Sequence, residues 1–195
     1  MTQQNNQHSI RQELPLVLLF VGLIWLVFVL DRFLPLEQLG LVPRDGGHLF
    51  GIITMPFLHG SFEHLMSNTV PLLVLLTLLA GSRANSRTIV LTIILLGGSL
   101  LWLFGRGAAL HIGASGLVFG LAVFLIVSGL LERRILPLLI AVFVVFMYGS
   151  SLLSGILPWQ PGVSWDGHLF GGLAGAVAAV FLARGQQLAT RRTKS

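Results

Sequence analysis

The stretch His111-Ile112-Gly113-Ala114-Ser115-Gly116-Leu117-Val118-Phe119-Gly120 decides how this chain is read. It opens a long apolar run, and two of its glycines, Gly116 and Gly120, stand four residues apart. In a bilayer that spacing lets two helix backbones approach closely. The run therefore reads as a membrane span that begins at a serine set among small residues. Taken alone, such a serine is simply small. Whether it is a packing device or a nucleophile depends on what the rest of the chain brings beside it.

Composition supports the membrane reading. Of 195 residues, 54% are hydrophobic and only 10% charged, against roughly 25% charged in a soluble domain. Mean hydropathy is +0.87. The length suffices for several spans with short loops and leaves no room for a sizeable soluble domain. There is no cysteine, which excludes disulfides and thiolate chemistry.

Spans are expected at about 14–30, 62–80, 88–104, 115–131, 135–153 and 168–184, near the short end of the roughly 17–25 residues that cross a bilayer core. No small-residue cleavage site follows the first run, so it reads as a retained span. Residues 48–59 are apolar but short and interrupted by Pro56. They read as a re-entrant or interfacial piece, which gives the long first loop structure of its own. The domain expectation is a polar tail at 1–13, a six-helix membrane domain at 14–184 and a basic tail at 185–195.

Six spans put both termini on one side. Arg11, Arg83, Arg87, Arg133, Arg134, Arg184, Arg191, Arg192 and Lys194 share that side, and Arg32, Arg44 and Arg106 lie opposite. Nine basic residues against three point to cytoplasmic termini, with loops 1, 3 and 5 outside.

Polar residues within spans are costly in lipid and are functional candidates by default. Three places stand out. His64 and Asn68 are four apart at the start of the second span, so they share a helix face. Ser115 opens the fourth. His168 opens the sixth, with Gly171 and Gly175 beneath it on the same face. Alone, each reads as helix packing or an interhelical hydrogen bond. Together they differ, because the second, fourth and sixth spans run in one direction and all four polar residues fall near the same end. Packing the glycine stripe of the fourth span on that of the sixth brings Ser115 beside His168. A hydroxyl next to an imidazole is the nucleophile and base pair of acyl transfer, and His64 and Asn68 supply donors for an oxyanion.

Gly113-Ala114-Ser115-Gly116, His64-x-x-x-Asn68 and His168-x-x-Gly171-x-x-x-Gly175, with the approach Phe57-Leu58-His59-Gly60-Ser61-Phe62-Glu63-His64, resemble the rhomboid intramembrane serine proteases over residues 14–184. The resemblance implies an all-α bundle of six transmembrane helices with a long structured first loop. It also implies a Ser115–His168 dyad without a third acidic member. His64, Asn68, the Ser115 backbone N–H and Gly113 would surround the oxyanion, with Gly116, Gly120, Gly171 and Gly175 in support. Phe119, one turn below Ser115, stands where the family often has a tyrosine stacked on the histidine; it keeps the ring and loses the hydroxyl. The Trp-Arg pair that many members carry in loop 1 is missing, and Arg44 or Arg32 is left for part of its structural role. Asp166, two residues before His168, faces another way and reads as a solvated loop carboxylate.

The resemblance further implies a serine endopeptidase that cuts transmembrane segments of other membrane proteins. Its partners are those substrates and the lipid bilayer, with no cofactor, metal or nucleic acid. It also implies a multi-pass protein of a bacterial cell membrane, with a water-filled cavity opening to the outer face above Ser115. The fifth span and loop 5, with Phe143, Phe146, Met147, Tyr148 and Trp159, correspond to the family's mobile gate and cap. Two other readings compete. A helix-binding pseudoprotease would have lost Ser115 or His168, and both are present. A small transporter would carry carboxylates or arginines in mid-span, where this chain has none.

Overall fold

Serine at position 61 caps the second span, which was expected from residue 62. Its Oγ accepts the His64 backbone N–H at 3.1 Å, a side-chain cap on an otherwise unpaired first-turn donor. The computed structural model of the chain describes residues 10–107, 109–132, 134–159 and 162–192. The expected polar tail up to residue 9, Arg133, the loop-5 residues Gln160 and Pro161, and the end of the basic tail at 193–195 lie outside the described residues.

Among the described residues there are seven α-helices: α1 Ile10–Leu30, α2 Gly51–Thr54, α3 Phe62–Ser82, α4 Ser86–Phe104, α5 Ser115–Glu132, α6 Ile135–Gly155 and α7 Trp165–Arg192. All but the one-turn α2 are long and apolar enough to cross a bilayer, and each contains one of the six expected spans. The chain is an all-α, multi-pass membrane bundle. Among the described residues the only strand-like feature is an antiparallel bridge between Leu41 and His111. The largest difference from expectation is at α7, which starts three residues early and continues to Arg192, eight residues into the stretch expected as a basic tail. The Ser164 carbonyl accepts the His168 N–H at 3.0 Å, so Asp166 and His168 both lie in the first helical turn.

The core gathers residues of α1, α3, α4, α5 and α7 around Leu65, Leu72, Leu79, Ile93, Leu121 and Phe124. Helix α5 lies at the centre and α6 at the edge: 56% of the α5 span is buried against 11% for α6. The closest pair is α5 with α7. A Cβ on Gly171 would overlap the Gly116 carbonyl, and one on Gly175 would overlap the Gly120 carbonyl. The two backbones touch along both glycine stripes, and dispersion between close backbones holds helices together where lipid removes the hydrophobic drive. At the end bearing the termini, Arg83 and Glu132 form a buried ion pair. Glu132 is the last residue of α5, where a loop position was expected.

Loop 1 is structured, as its apolar stretch suggested. Leu41, Met55 and Leu101 make a second small core, and α2 packs on α4, where a Cβ on Gly98 would meet Ile52. Arg44 fastens the loop to the end of α4. Its guanidinium donates to the Gly105 carbonyl at 2.7 Å, its N–H donates to the Trp102 carbonyl at 2.9 Å, and Trp102 Nε1 donates back to the Asp45 carbonyl at 3.0 Å. The other candidate, Arg32, lies over the Phe28 ring at 4.8 Å.

Candidate active site

Ser115 and His168 are the first residue of α5 and the fourth of α7. The glycine contact between these helices brings Ser115 Oγ to 2.8 Å from His168 Nε2. The other ring nitrogen, Nδ1, lies 2.8 Å from the carbonyl oxygen of Gly155. A carbonyl only accepts, so Nδ1 carries the proton and Nε2 is left as an acceptor. The Ser115 hydroxyl therefore donates to Nε2. This is the tautomer in which an imidazole takes a proton from a nucleophile. The orienting group is a backbone oxygen at the end of α6, where a Cβ on Gly155 would lie 3.1 Å from His168 Nδ1.

The imidazole is fixed from its face as well. Phe119 stacks on it with ring centroids 4.1 Å apart and planes 10° from parallel. His168 is nearly buried at 9% exposure, whereas Ser115 is half-exposed. Ser115 also heads its helix, so its N–H belongs to the first-turn donors without an intrahelical acceptor, at the end of the dipole that favours negative charge.

His64 comes to the same place from α3. A Cβ on Gly113 would lie 2.5 Å from His64 Nε2, and Gly113 has φ +112°, a region that L side chains avoid. Only glycine fits there, on both counts. Gly113 was expected around the oxyanion, but its N–H donates to the Met55 carbonyl at 3.0 Å. Its part is to let the His64 ring lie against the chain entering α5. Asn68 is buried, and its Nδ2 donates to the His64 carbonyl at 2.9 Å, leaving a second N–H on the same nitrogen.

The segment leading to Ser115 rests on loop 1. His111 N–H donates to the Leu41 carbonyl at 2.8 Å and Leu41 N–H returns the bond at 3.0 Å. The His111 side chain is also buried. Its Nδ1 lies 2.7 Å from Ser164 Oγ, and its Nε2 is 3.9 Å from Asp166 Oδ2. Asp166 in turn accepts the Arg106 N–H at 2.8 Å and the Arg106 guanidinium at 3.2 Å. Asp166 is thus 2% exposed, which corrects its reading as a solvated carboxylate. The reason is an arginine 60 positions earlier in sequence. Its carboxylate faces Arg106 rather than Gly155 and the His168 Nδ1–H. Burial depresses the His111 pKa, the Asp166 carboxylate opposes this, and Arg106 acts both ways, its charge lowering the pKa and its backbone raising it. Burial, with the His64 ring nearby, lowers His59 to about 4.

His64, Asn68, Ser115 and His168 therefore lie at one end of the bundle, as expected, and Gly116, Gly120, Gly171 and Gly175 make the contact that joins Ser115 to His168. Sequence reasoning missed the Gly155 carbonyl and the His111, Ser164, Asp166 and Arg106 network. A buried histidine four residues before the serine was the one signal available for it. No metal-binding group of three or more histidine, cysteine or acidic side chains occurs among the described residues. Helix α6 packs chiefly on α5, with Phe146 at 85% exposure and Trp159 at 71%.

The Rhomboid domain family model matches residues 46–185, from the loop ahead of α2 into the end of α7. The uncharacterized proteins Rv1337 of Mycobacterium tuberculosis and Mb1372 of Mycobacterium bovis are each 43% identical over 178 residues, covering 85% of this chain and 73% of theirs. The uncharacterized protein ML1171 of Mycobacterium leprae is 42% identical over 180 residues, covering 85% of this chain and 70% of its own. With the family model spanning most of the chain, from loop 1 through the Ser115 and His168 helices, this protein belongs to the rhomboid family.

Proposed function

We propose that this rhomboid-family protein is a serine endopeptidase that cleaves transmembrane segments of other membrane proteins, with Ser115 as nucleophile and His168 as general base. The observation that carries the reading is the 2.8 Å contact between Ser115 Oγ and an Nε2 left unprotonated by the Gly155 carbonyl. Ser115 Oγ attacks the scissile carbonyl carbon while its proton passes to Nε2. The oxyanion is met by the Ser115 N–H, the free N–H of Asn68 Nδ2 and the His64 ring. The C–N bond then breaks as Nε2 returns the proton to the leaving amine. Water attacks the acyl-enzyme, gives its proton to Nε2, and the C–Oγ bond breaks as Ser115 recovers the proton.

A transmembrane helix has its backbone bonded internally, so the substrate unwinds locally before Ser115 reaches it. Small and helix-breaking residues near its outer end favour cleavage. The half-exposed Ser115 opens to the outer face of a bacterial cell membrane, with the termini in the cytoplasm. Entry runs past the thinly packed α6. The test is cleavage of a labelled transmembrane peptide in vesicles. Wild type cuts it, and Ser115→Ala and His168→Ala do not. His64→Ala and Asn68→Ala are each slower by about tenfold or more, the cost of a lost oxyanion donor. An intact peptide with folded wild type, or continued cutting by Ser115→Ala, overturns the assignment.

A further inference from the structure

Helix α1 packs on α3, while α4 packs on α5 and α7. A slot of about 530 Å³ stays open between α1 and α4, on the side away from the candidate site. One wall is Leu16 and Phe20 of α1, and the other is Val90, Leu91 and Ile94 of α4. Leu79 lies at the back, and Ile53 and Phe57 of loop 1 close the far end. Polar groups are confined to the mouth, where α1 and α4 begin: Glu13, Ser86 and Arg87.

The dimensions select the occupant. Along α4 the lining runs from Ser86 to Leu95, about 14 Å at the rise of an α-helix. That is about half of the ~30 Å bilayer core, hence one leaflet. Ile53 and Phe57 close the slot at that depth, so a helix crossing the whole core has no path along it. A second helix does not fit, and a single hydrocarbon chain does. The mouth selects the headgroup. Glu13 is turned inward, accepting from Ser86 Oγ at 2.9 Å, and its side chain is 12% exposed. Arg87 is turned outward at 66% exposure, with one 3.4 Å contact to Glu13. An outward guanidinium above an apolar slot matches a phosphate above an acyl chain.

We propose that this slot is a binding site for one anionic glycerophospholipid of the leaflet on the side of the termini, its acyl chain lying between α1 and α4 and its phosphate on Arg87. The chain end then rests against Ile53 and Phe57, the latter two residues before His59. This inference rests on the membrane fold and is independent of the protease reading.

The test uses the full chain in nanodiscs containing a small fraction of phosphatidylglycerol with a photoreactive diazirine near the end of one acyl chain, and adducts are mapped by mass spectrometry. Adducts concentrate on α1, α4 and the Ile53–Phe57 segment over the equally lipid-exposed face of α6. Val90→Phe and, independently, Leu16→Trp fill the slot and reduce those adducts about tenfold, while the α6 adducts and the thermal unfolding midpoint stay unchanged. Arg87→Gln reduces the preference for phosphatidylglycerol over phosphatidylcholine about fivefold or more. Inorganic phosphate does not displace the lipid. Adducts spread evenly over α6 and the slot, or unaltered in both filled variants, overturn the acyl-chain site. An unchanged lipid preference in Arg87→Gln, or displacement by inorganic phosphate, overturns the headgroup assignment.

Discussion

Alanine at position 171 tests whether glycine sets the distance on which the site depends. A Cβ there falls on the Gly116 carbonyl oxygen, and carbon and oxygen in non-bonded contact stay about 3.3 Å or more apart. Helices α5 and α7 must therefore separate by roughly 1 Å or more, or rotate to the same effect. Gly116 follows Ser115 directly and Gly171 is one turn from His168, so the separation is felt at the 2.8 Å contact. Stretched by that amount, the contact passes beyond hydrogen-bonding range. A misplacement of about 1 Å at a reacting pair costs on the order of 100-fold in rate, and overpacking of this kind costs about 1–3 kcal/mol in stability. Gly172→Ala is the control. Its Cβ meets only Val123 Cγ2 at 3.5 Å, an ordinary contact, and both substitutions bring the same gain in helix propensity, up to about 1 kcal/mol. Rates of transmembrane-peptide cleavage and of labelling by a fluorophosphonate are read in both variants beside thermal unfolding. Gly171→Ala falls about 100-fold in each rate, and Gly172→Ala stays within a few-fold of wild type. If Gly171→Ala reacts as fast as Gly172→Ala, close backbone contact does not set the geometry of the site.

Other consequences follow from the surroundings of the dyad. Asp166→Ala leaves the Arg106 N–H without its buried acceptor and costs about 1–3 kcal/mol, measured as a lower unfolding midpoint. Phe119→Leu removes the ring against His168, an interaction worth about 0.5–1.5 kcal/mol. Labelling slows by up to about tenfold, and Phe119→Tyr keeps the wild-type rate. His59 is held near 4 against 6.5 for a free imidazole, so the unfolded chain binds the proton more readily than the folded one. Stability is full above pH 6.5 and falls toward pH 4 by about 3 kcal/mol. Unfolding midpoints measured across that window drop in wild type and drop less in His59→Gln.

The six spans and the meeting of Ser115 with His168 were legible because each leaves a local mark. Apolar runs of bilayer length define the spans, and the GxxxG stripes of Gly116 with Gly120 and Gly171 with Gly175 say which helices touch. What was not legible is carried by the backbone or by distant partners. The acceptor that orients His168 is the carbonyl of Gly155, and no side chain announces it. Asp166 looks like a loop carboxylate until Arg106, far off in sequence, is folded against it. The resemblance set Gly113 beside the oxyanion, and nothing in the sequence showed where its N–H goes. Its N–H is spent on Met55, a pairing visible only once loop 1 has folded back. Loop 1 itself announced structure through its apolar stretch, but not that Leu41 and Met55 would brace the segment leading to Ser115.

The central claim is that Ser115 is a nucleophile activated by His168. It is tested most directly by treating the 195-residue chain with a fluorophosphonate and locating the adduct by peptide mass. The account predicts one adduct, on Ser115 Oγ, absent from Ser115→Ala and strongly slowed in His168→Ala. An adduct on another residue, or labelling that persists in Ser115→Ala, would contradict it.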